Sequence, residues 1–236
     1  MVNFASIWLA SFADHRMSGA LHRLGRQASS FGIKKEHICL FTEKELDPEF
    51  REKFSHRLIL GSKGYGYWCW KPQVVLQMFK RMPENEILLY LDAGCHLNSH
   101  GKQRFHYYTD VADRFGLCGF QYYSLMGNQT YDPEHHIRLE REFTKGDIFK
   151  YFNVQDCDMI YNTAQFCGGI FLVKNTSQNR QFFQNYLNIF ENHWNLIDDS
   201  SSLFPNFPEF KGNRHDQSIF SIMMKIMHAC SFFFSV

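Results

Sequence analysis

Residues 86–98 read Glu-Ile-Leu-Leu-Tyr-Leu-Asp-Ala-Gly-Cys-His-Leu-Asn. From Ile87 to Leu91 the run is apolar without alternation, the pattern of a strand buried on both faces of a sheet. It stops at a single acid, Asp92, followed by the small residues Ala93 and Gly94. Open α/β sheets place their ligand chemistry at the carboxyl ends of such strands. Small residues at that point let a bulky ligand approach the backbone. The stretch therefore predicts both a fold class and a candidate site.

Working outward, strand-like and helix-like segments alternate. Ala5–Ala10, His37–Phe41, Leu117–Tyr122 and Phe166–Val173 read as further strands. Helical patterns cover Arg16–Ser30, Asp47–Phe54, residues 101–115, Asn175–Asn195 and Asp216–Met227. Pro72 suits the first turn of another helix, running to about Met82 and ended by Pro83. Residues 124–165 are polar and loop-rich, with a helix near Asp147–Phe152, and Asp198–Asn213 reads as a loop. Alternation of this kind predicts an α/β domain with a mostly parallel central sheet flanked by helices. No repeat or linker interrupts residues 1–236, so one domain is expected.

Composition narrows the function. The 25 basic and 24 acidic side chains balance, so no general electrostatic attraction to nucleic acid is expected. The seven cysteines form no Cys-x-x-Cys pair, which argues against zinc, and most sit in apolar runs as small hydrophobes, so a reducing, cytoplasmic setting is expected. Phe4 to Ser11 is only a strand long and lacks a basic lead-in, so it reads as a first strand rather than a signal peptide. No window approaches the roughly 20 apolar residues of a membrane span. The terminal Ser231-Phe232-Phe233-Phe234-Ser235-Val236 reads as a docked strand, with a peripheral membrane or partner contact as the alternative.

Three blocks carry chemistry. Gly64-Tyr65-Gly66-Tyr67-Trp68-Cys69-Trp70-Lys71-Pro72 joins stacking surfaces to a lysine at a helix start, where a phosphate could be neutralised. Equally, Trp68 and Trp70 serve as core anchors and Lys71 as a solvated charge. Asp92 can ligate a hard cation such as Mg²⁺ or Mn²⁺, or simply cap the next segment. Gly168-Gly169 within a strand marks a close approach of ligand or backbone, or a bulge. His215-Asp216-Gln217-Ser218 opens a helix, a natural anion site. His215 can serve as metal ligand or phosphate donor.

In this order the blocks resemble small bacterial and viral glycosyltransferases of the GT-A fold that use sugar nucleotides. Gly66–Pro72, Leu91–Cys95 and Arg214–Ser218 carry the likeness, which spans nearly the whole chain. More distantly, Tyr90-Leu91-Asp92-Ala93 is similar to the start of the Asp-x-Asp motif of glycogenin-like and lipopolysaccharide galactosyltransferases. The resemblance implies a single GT-A-like domain that moves a sugar from a nucleotide-sugar donor to a glycan or glycolipid acceptor in polysaccharide biosynthesis. It implies catalytic roles for Asp216 and Gln217, and donor binding by Trp70, Lys71, Asp92, Ala93, Gly94, Gly168, Gly169 and His215. A Mn²⁺ or Mg²⁺ ion at Asp92 is also implied. Gly94 departs from the pattern by removing the second carboxylate, which puts metal dependence in question and leaves His96 and His215 as substitute ligands. A nucleotide-sugar hydrolase or phosphohydrolase, and a non-catalytic carbohydrate-binding protein on the same fold, are the competing classes.

Overall fold

The computed structural model describes residues 6–121 and 138–232, with side chains described as far as 227. Five strands form one sheet in the order β2-β1-β3-β5-β4. They are β1 (Ile7–Phe12), β2 (Ile38–Phe41), β3 (Ile87–Leu91), β4 (Leu117–Gln121) and β5 (Phe166–Lys174). β1 runs parallel to both β2 and β3, with Leu9 opposite Ile38 on one side and Leu89 on the other. β3 meets β5 antiparallel, Leu89 opposite Leu172. The sheet is therefore mixed, and β5 is not the further parallel strand that alternation alone implied. It also runs unbroken through Gly168-Gly169. Every residue of β3 is buried, as its unbroken apolar run requires.

Helix boundaries follow local chemistry. α1 (Ser18–Phe31) ends at Gly32, whose φ of 110° gives the left-handed cap that glycine adopts without penalty. α2 (Pro48–Lys53) starts on Asp47, whose carboxylate accepts from the backbone N–H groups of Glu49 and Phe50. The four-residue segment α3 (Gly64–Tyr67) leads into α4 (Trp70–Arg81), with Pro72 in the first turn of α4. α5 (Lys102–Phe115) ends at Gly116, again left-handed. The short helices α6 (Glu140–Phe143), α7 (Gly146–Tyr151) and α8 (Asp158–Tyr161) precede β5, and α9 (Ser177–Asn192) follows it. α10 (Asp216–Phe232) extends past the predicted Met227 and takes in Ser231 and Phe232, which are helical rather than part of a docked strand. Residues 122–137 and 233–236, including most of the predicted tail, lie outside the described residues.

The chain divides into two compact units. The first is Met1–Cys118 with Gly169–Asn188, the second Gly119–Gly168 with Ile189–Val236. Leu9, Leu89, Phe171, Phe183 and Tyr186 are buried in the first, with Tyr90 stacked on Phe171 at 4.9 Å between centroids. Ile148, Phe149, Ile219 and Phe220 are buried in the second. The six described cysteines are all free thiols. Among the described residues, no helix is long and apolar enough to cross a membrane.

Candidate functional site

In the first unit β1 leads to β2 on one side of the sheet and β3 lies on the other, so the strand order reverses between β1 and β3. That reversal is where open α/β sheets leave a ligand crevice. Asp92 stands at that reversal, directly after β3. The Asp92 backbone N–H donates to Gly169 O at 2.8 Å, and Cys95 N–H donates to Asp92 O at 2.8 Å, turning the chain after the strand. Tyr90, two residues back and so on the same face, donates its hydroxyl to Asp92 Oδ1 at 2.8 Å. Lys71 Nζ lies 3.6 Å from the same oxygen. A Cβ on Gly169 would fall 2.5 Å from Asp92 Oδ2, so only glycine leaves room for this carboxylate. Ala93 is buried, and its carbonyl accepts from Arg23 Nη2 at 2.7 Å, which pins the turn to α1. Gly94 is exposed, with nothing near where its Cβ would be.

Burial overturns part of the sequence reading of Lys71. It is 2% exposed, whereas the Asp92 side chain is 37% exposed. Its ammonium also lies 5.6 Å from the Tyr90 ring and 6.0 Å from the Trp70 ring. Lys71 is an internal counter-ion beside Asp92 rather than a solvated charge. Trp70 takes the anchor role: it is buried, stacks on Phe12 at 4.0 Å and donates its indole N–H to Gly64 O at 3.0 Å.

The preceding segment is unusual in its backbone. Gly64, Tyr65, Gly66, Tyr67 and Trp68 all have positive φ, from 49° to 85°. Tyr67 N–H donates to Lys63 O and Trp68 N–H to Gly64 O, giving a helical turn of left-handed hand. Such a turn costs about 1–2 kcal/mol for each residue that carries a Cβ, and its two glycines ease the strain. Strained backbone of this kind concentrates at functional sites. The turn sets Tyr65 against Phe12 at 6.0 Å, beside the end of β1.

Asp92 offers a divalent cation one carboxylate, its side chain 37% exposed. Mn²⁺ and Mg²⁺ bind through one or two carboxylates, with waters or substrate phosphates completing the shell, and Asp92 Oδ1 already faces an ammonium and a phenol. Among the described residues no group of three His, Cys, Asp or Glu side chains comes together to hold a metal. His96 is exposed and pairs with Gln27 Nε2 at 3.1 Å.

The second unit carries the remaining predicted residues. His215 is 5% exposed, with a φ of 58° just before α10. Its Nδ1 carries the proton, because it lies 2.6 Å from the Ile197 carbonyl, which can only accept. Its Nε2 is 3.6 Å from Asp199 Oδ1. Asp216 is buried in the first turn of α10. Gln217 Oε1 accepts the Gly168 backbone N–H at 3.2 Å. A Cβ on Gly168 would sit 3.2 Å from Gln217 Cα and 3.4 Å from Asp216 Oδ2. Gly168, Asp216 and Gln217 thus form one packed group, and the glycine reads as a close approach rather than a bulge. Asp198 is 3.7 Å from Lys145 Nζ, which also donates to the Asn195 and Asp198 carbonyls. Burial lowers the Lys145 pKa, and the Asp198 and Asp147 carboxylates oppose that shift.

Sequence reading missed a buried polar cluster in this unit. Ser218, Ser221 and Lys225 lie along one face of the otherwise apolar α10 and approach Glu140 and Gln165. Their spacing of three and four residues was the available signal. Burial pushes the Lys225 ammonium pKa down, and the Glu140 carboxylate opposes the shift.

Of the predicted site residues, the structure gathers Lys71, Asp92 and Gly169 in the first unit, with Trp70 and Ala93 flanking them. It gathers Gly168, Asp216 and Gln217 in the second, with His215 adjacent in the chain. No protein-family model matches the chain, and no curated protein matches it. Among solved structures it resembles a glycosyltransferase involved in glycosylation of the major capsid of PBCV-1, at TM-score 0.40 and 12% identity over 80% of this chain and 68% of that one. It also resembles mouse xyloside xylosyltransferase 1 in its apo form, at TM-score 0.45 and 11% identity over 94% of this chain and 83% of that one. Likenesses of this depth carry no inference about substrate or reaction.

Proposed function

We propose that this chain is a glycosyltransferase that moves a sugar from a nucleotide diphosphate to an acceptor hydroxyl of a glycan or glycolipid. The observation that carries the reading is the strand-end Asp92 at the β1/β3 reversal, held by Lys71 and Tyr90 and given room by Gly169. The three sequence blocks Gly66–Pro72, Leu91–Cys95 and Arg214–Ser218 support it.

In the reaction the bond from the anomeric carbon to the diphosphate oxygen breaks, and its electron pair leaves with the diphosphate. The acceptor oxygen forms the new bond to that carbon and gives its proton to a base. Asp92, its charge balanced from inside by Lys71, accepts hydrogen bonds from donor hydroxyls through its exposed edge. The resemblance of the Arg214–Ser218 block supports Asp216 as the group that would orient hydroxyls of the transferred sugar and Gln217 as the group that would act at its anomeric carbon. Asp198, Asp199 and Asp216 are the candidate bases if the enzyme inverts configuration. A Mn²⁺ or Mg²⁺ ion, when bound, would be held by Asp92 and would screen charge on the leaving diphosphate. Synthesis of polysaccharide or glycoprotein glycans, in the cytoplasm or at a membrane surface, is the setting that goes with this chemistry.

The test is calorimetric titration with a panel of nucleotide sugars, in Mn²⁺ and in EDTA, followed by transfer assays on Asp92→Ala and Asp216→Ala. Binding of a donor, with transfer reduced at least about 10²-fold in both variants, is the expected result. Wild-type transfer in both folded variants would overturn the assignment. Failure of every donor to bind would favour the non-catalytic class.

A further inference from the structure

Within the second unit a chain of hydrogen bonds runs from a buried ion pair to Gln217, and each link dictates the polarity of the next. Glu140 is fully buried, and four donors converge on its carboxylate. Ser221 Oγ and Lys225 Nζ (2.8 Å) reach Oε1. Thr144 Oγ1 (2.6 Å) and Gln165 Nε2 (3.1 Å) reach Oε2. A carboxylate only accepts, so Gln165 must turn its NH₂ toward Glu140. The Phe143 carbonyl, 3.2 Å from the same nitrogen, enforces the same choice. Gln165 Oε1 is thereby directed at Gln217, which must answer with its own NH₂, at 2.9 Å. Gln217 Oε1 is then turned to the Gly168 N–H. Flipping either amide would set oxygen against oxygen in a dry interior, where like poles repel and each group is left without its partner.

We propose that Glu140, acting through Gln165, fixes which edge of the Gln217 amide donates and which accepts, making Glu140 and Gln165 positioning residues for the reacting sugar. This rests on the transferase reading for the role of Gln217, but the latch itself is a property of the second unit and is testable without turnover. Gln165 is the residue to change, since Gln165→Met keeps the volume and leaves the Glu140–Lys225 pair intact.

Two readouts separate latch from function. In ¹⁵N-labelled protein the Gln217 side-chain NH₂ protons should exchange with solvent at least about tenfold faster in Gln165→Met than in wild type, the population effect of losing one hydrogen bond. Unchanged exchange overturns the latch whether or not the protein is a transferase. In the transfer assay, Gln165→Met should lower kcat about 10- to 100-fold and leave donor KM within about threefold. Gln165→Met/Gln217→Ala should be no slower than Gln217→Ala alone, because both changes remove one function. Independent, multiplying losses would mean that Gln165 only supports the fold. Gln165→Glu gives a second check if the methionine variant unfolds. When protonated, the introduced carboxyl can donate to Glu140 and still offer its carbonyl to Gln217, so activity should recover as pH falls. The charged groups facing that position are Glu140 and, across it, Lys225. A pH profile unchanged from wild type overturns the proposal. If wild type transfers no sugar, the functional reading fails and the exchange experiment still decides the latch.

Discussion

Lys71 Nζ stands 3.6 Å from Asp92 Oδ1, and the lysine is closed to solvent while the carboxylate is not. The pair is therefore one-sided: its cation belongs to the core and its anion to the surface. Removing the cation should leave Asp92 without a counter-charge. Lys71→Met is expected to lose about 1–3 kcal/mol in urea unfolding, below the usual 3–5 for a fully buried pair because Asp92 keeps water. Lys71→Met/Asp92→Asn should recover part of that loss. A double variant that loses the sum of the two singles would show that the side chains are not coupled.

Gly169→Ala sets a methyl 2.5 Å from Asp92 Oδ2. The carboxylate must then swing away from Lys71 and Tyr90, so donor binding should fall clearly in calorimetry. The fold should survive with a loss of about 1–3 kcal/mol, as for other overpacked sites. Unaltered donor binding in a folded Gly169→Ala would separate Asp92 from the binding site.

Gly94→Asp supplies the second carboxylate that the Asp-x-Asp pattern has and this chain lacks. Nothing lies within 4 Å of the Cβ position, so the substitution should fold as well as wild type. It should also bind Mn²⁺ more tightly than wild type, by calorimetry or by broadening of the Mn²⁺ resonance signal. Equal Mn²⁺ affinity in the two proteins would place any ion elsewhere.

Asp14 follows β1 and is gripped by Arg16, whose Nη2 lies 2.6 Å from Oδ2. The Arg16 side-chain hydrogen bonds hold its pKa below the ordinary 3.8, against the opposing effect of burial. A carboxylate with a lowered folded-state pKa contributes stability that is complete above 3.8 and is lost as pH falls through the folded value. Asp14→Asn keeps the capping oxygen but removes the charge. The urea midpoints of wild type and variant should therefore differ by a constant amount from about pH 7 to about 5. They should converge below 3.8. A gap independent of pH would assign the difference to the cap rather than to the ion pair.

What the chain encodes locally is legible in its sequence. The Ile87–Leu91 run marks a strand buried on both faces and ending at Asp92, because neither face needs polar residues. Asp47-Pro48 marks a helix start, and Gly116 closes α5 with the left-handed φ that its lack of a Cβ permits. Hydrophobic periodicity set the α/β class, and the residues that interrupt it brought Asp92, Gly169, Asp216 and Gln217 to notice.

Tertiary structure alone decided the rest. It turned β5 antiparallel to β3, because strand direction depends on how a long connection returns and not on the strand's own residues. It wound residues 64–68 left-handed through three side chains that resist that conformation, at a strain only surrounding contacts can hold. It buried Lys71 against Asp92 and Lys225 against Glu140, whereas in sequence each lysine looks like any solvated charge. The cost of removing an ammonium from water, and the partner that offsets it, are set by chain segments far apart in sequence, and they become fixed only when those segments pack.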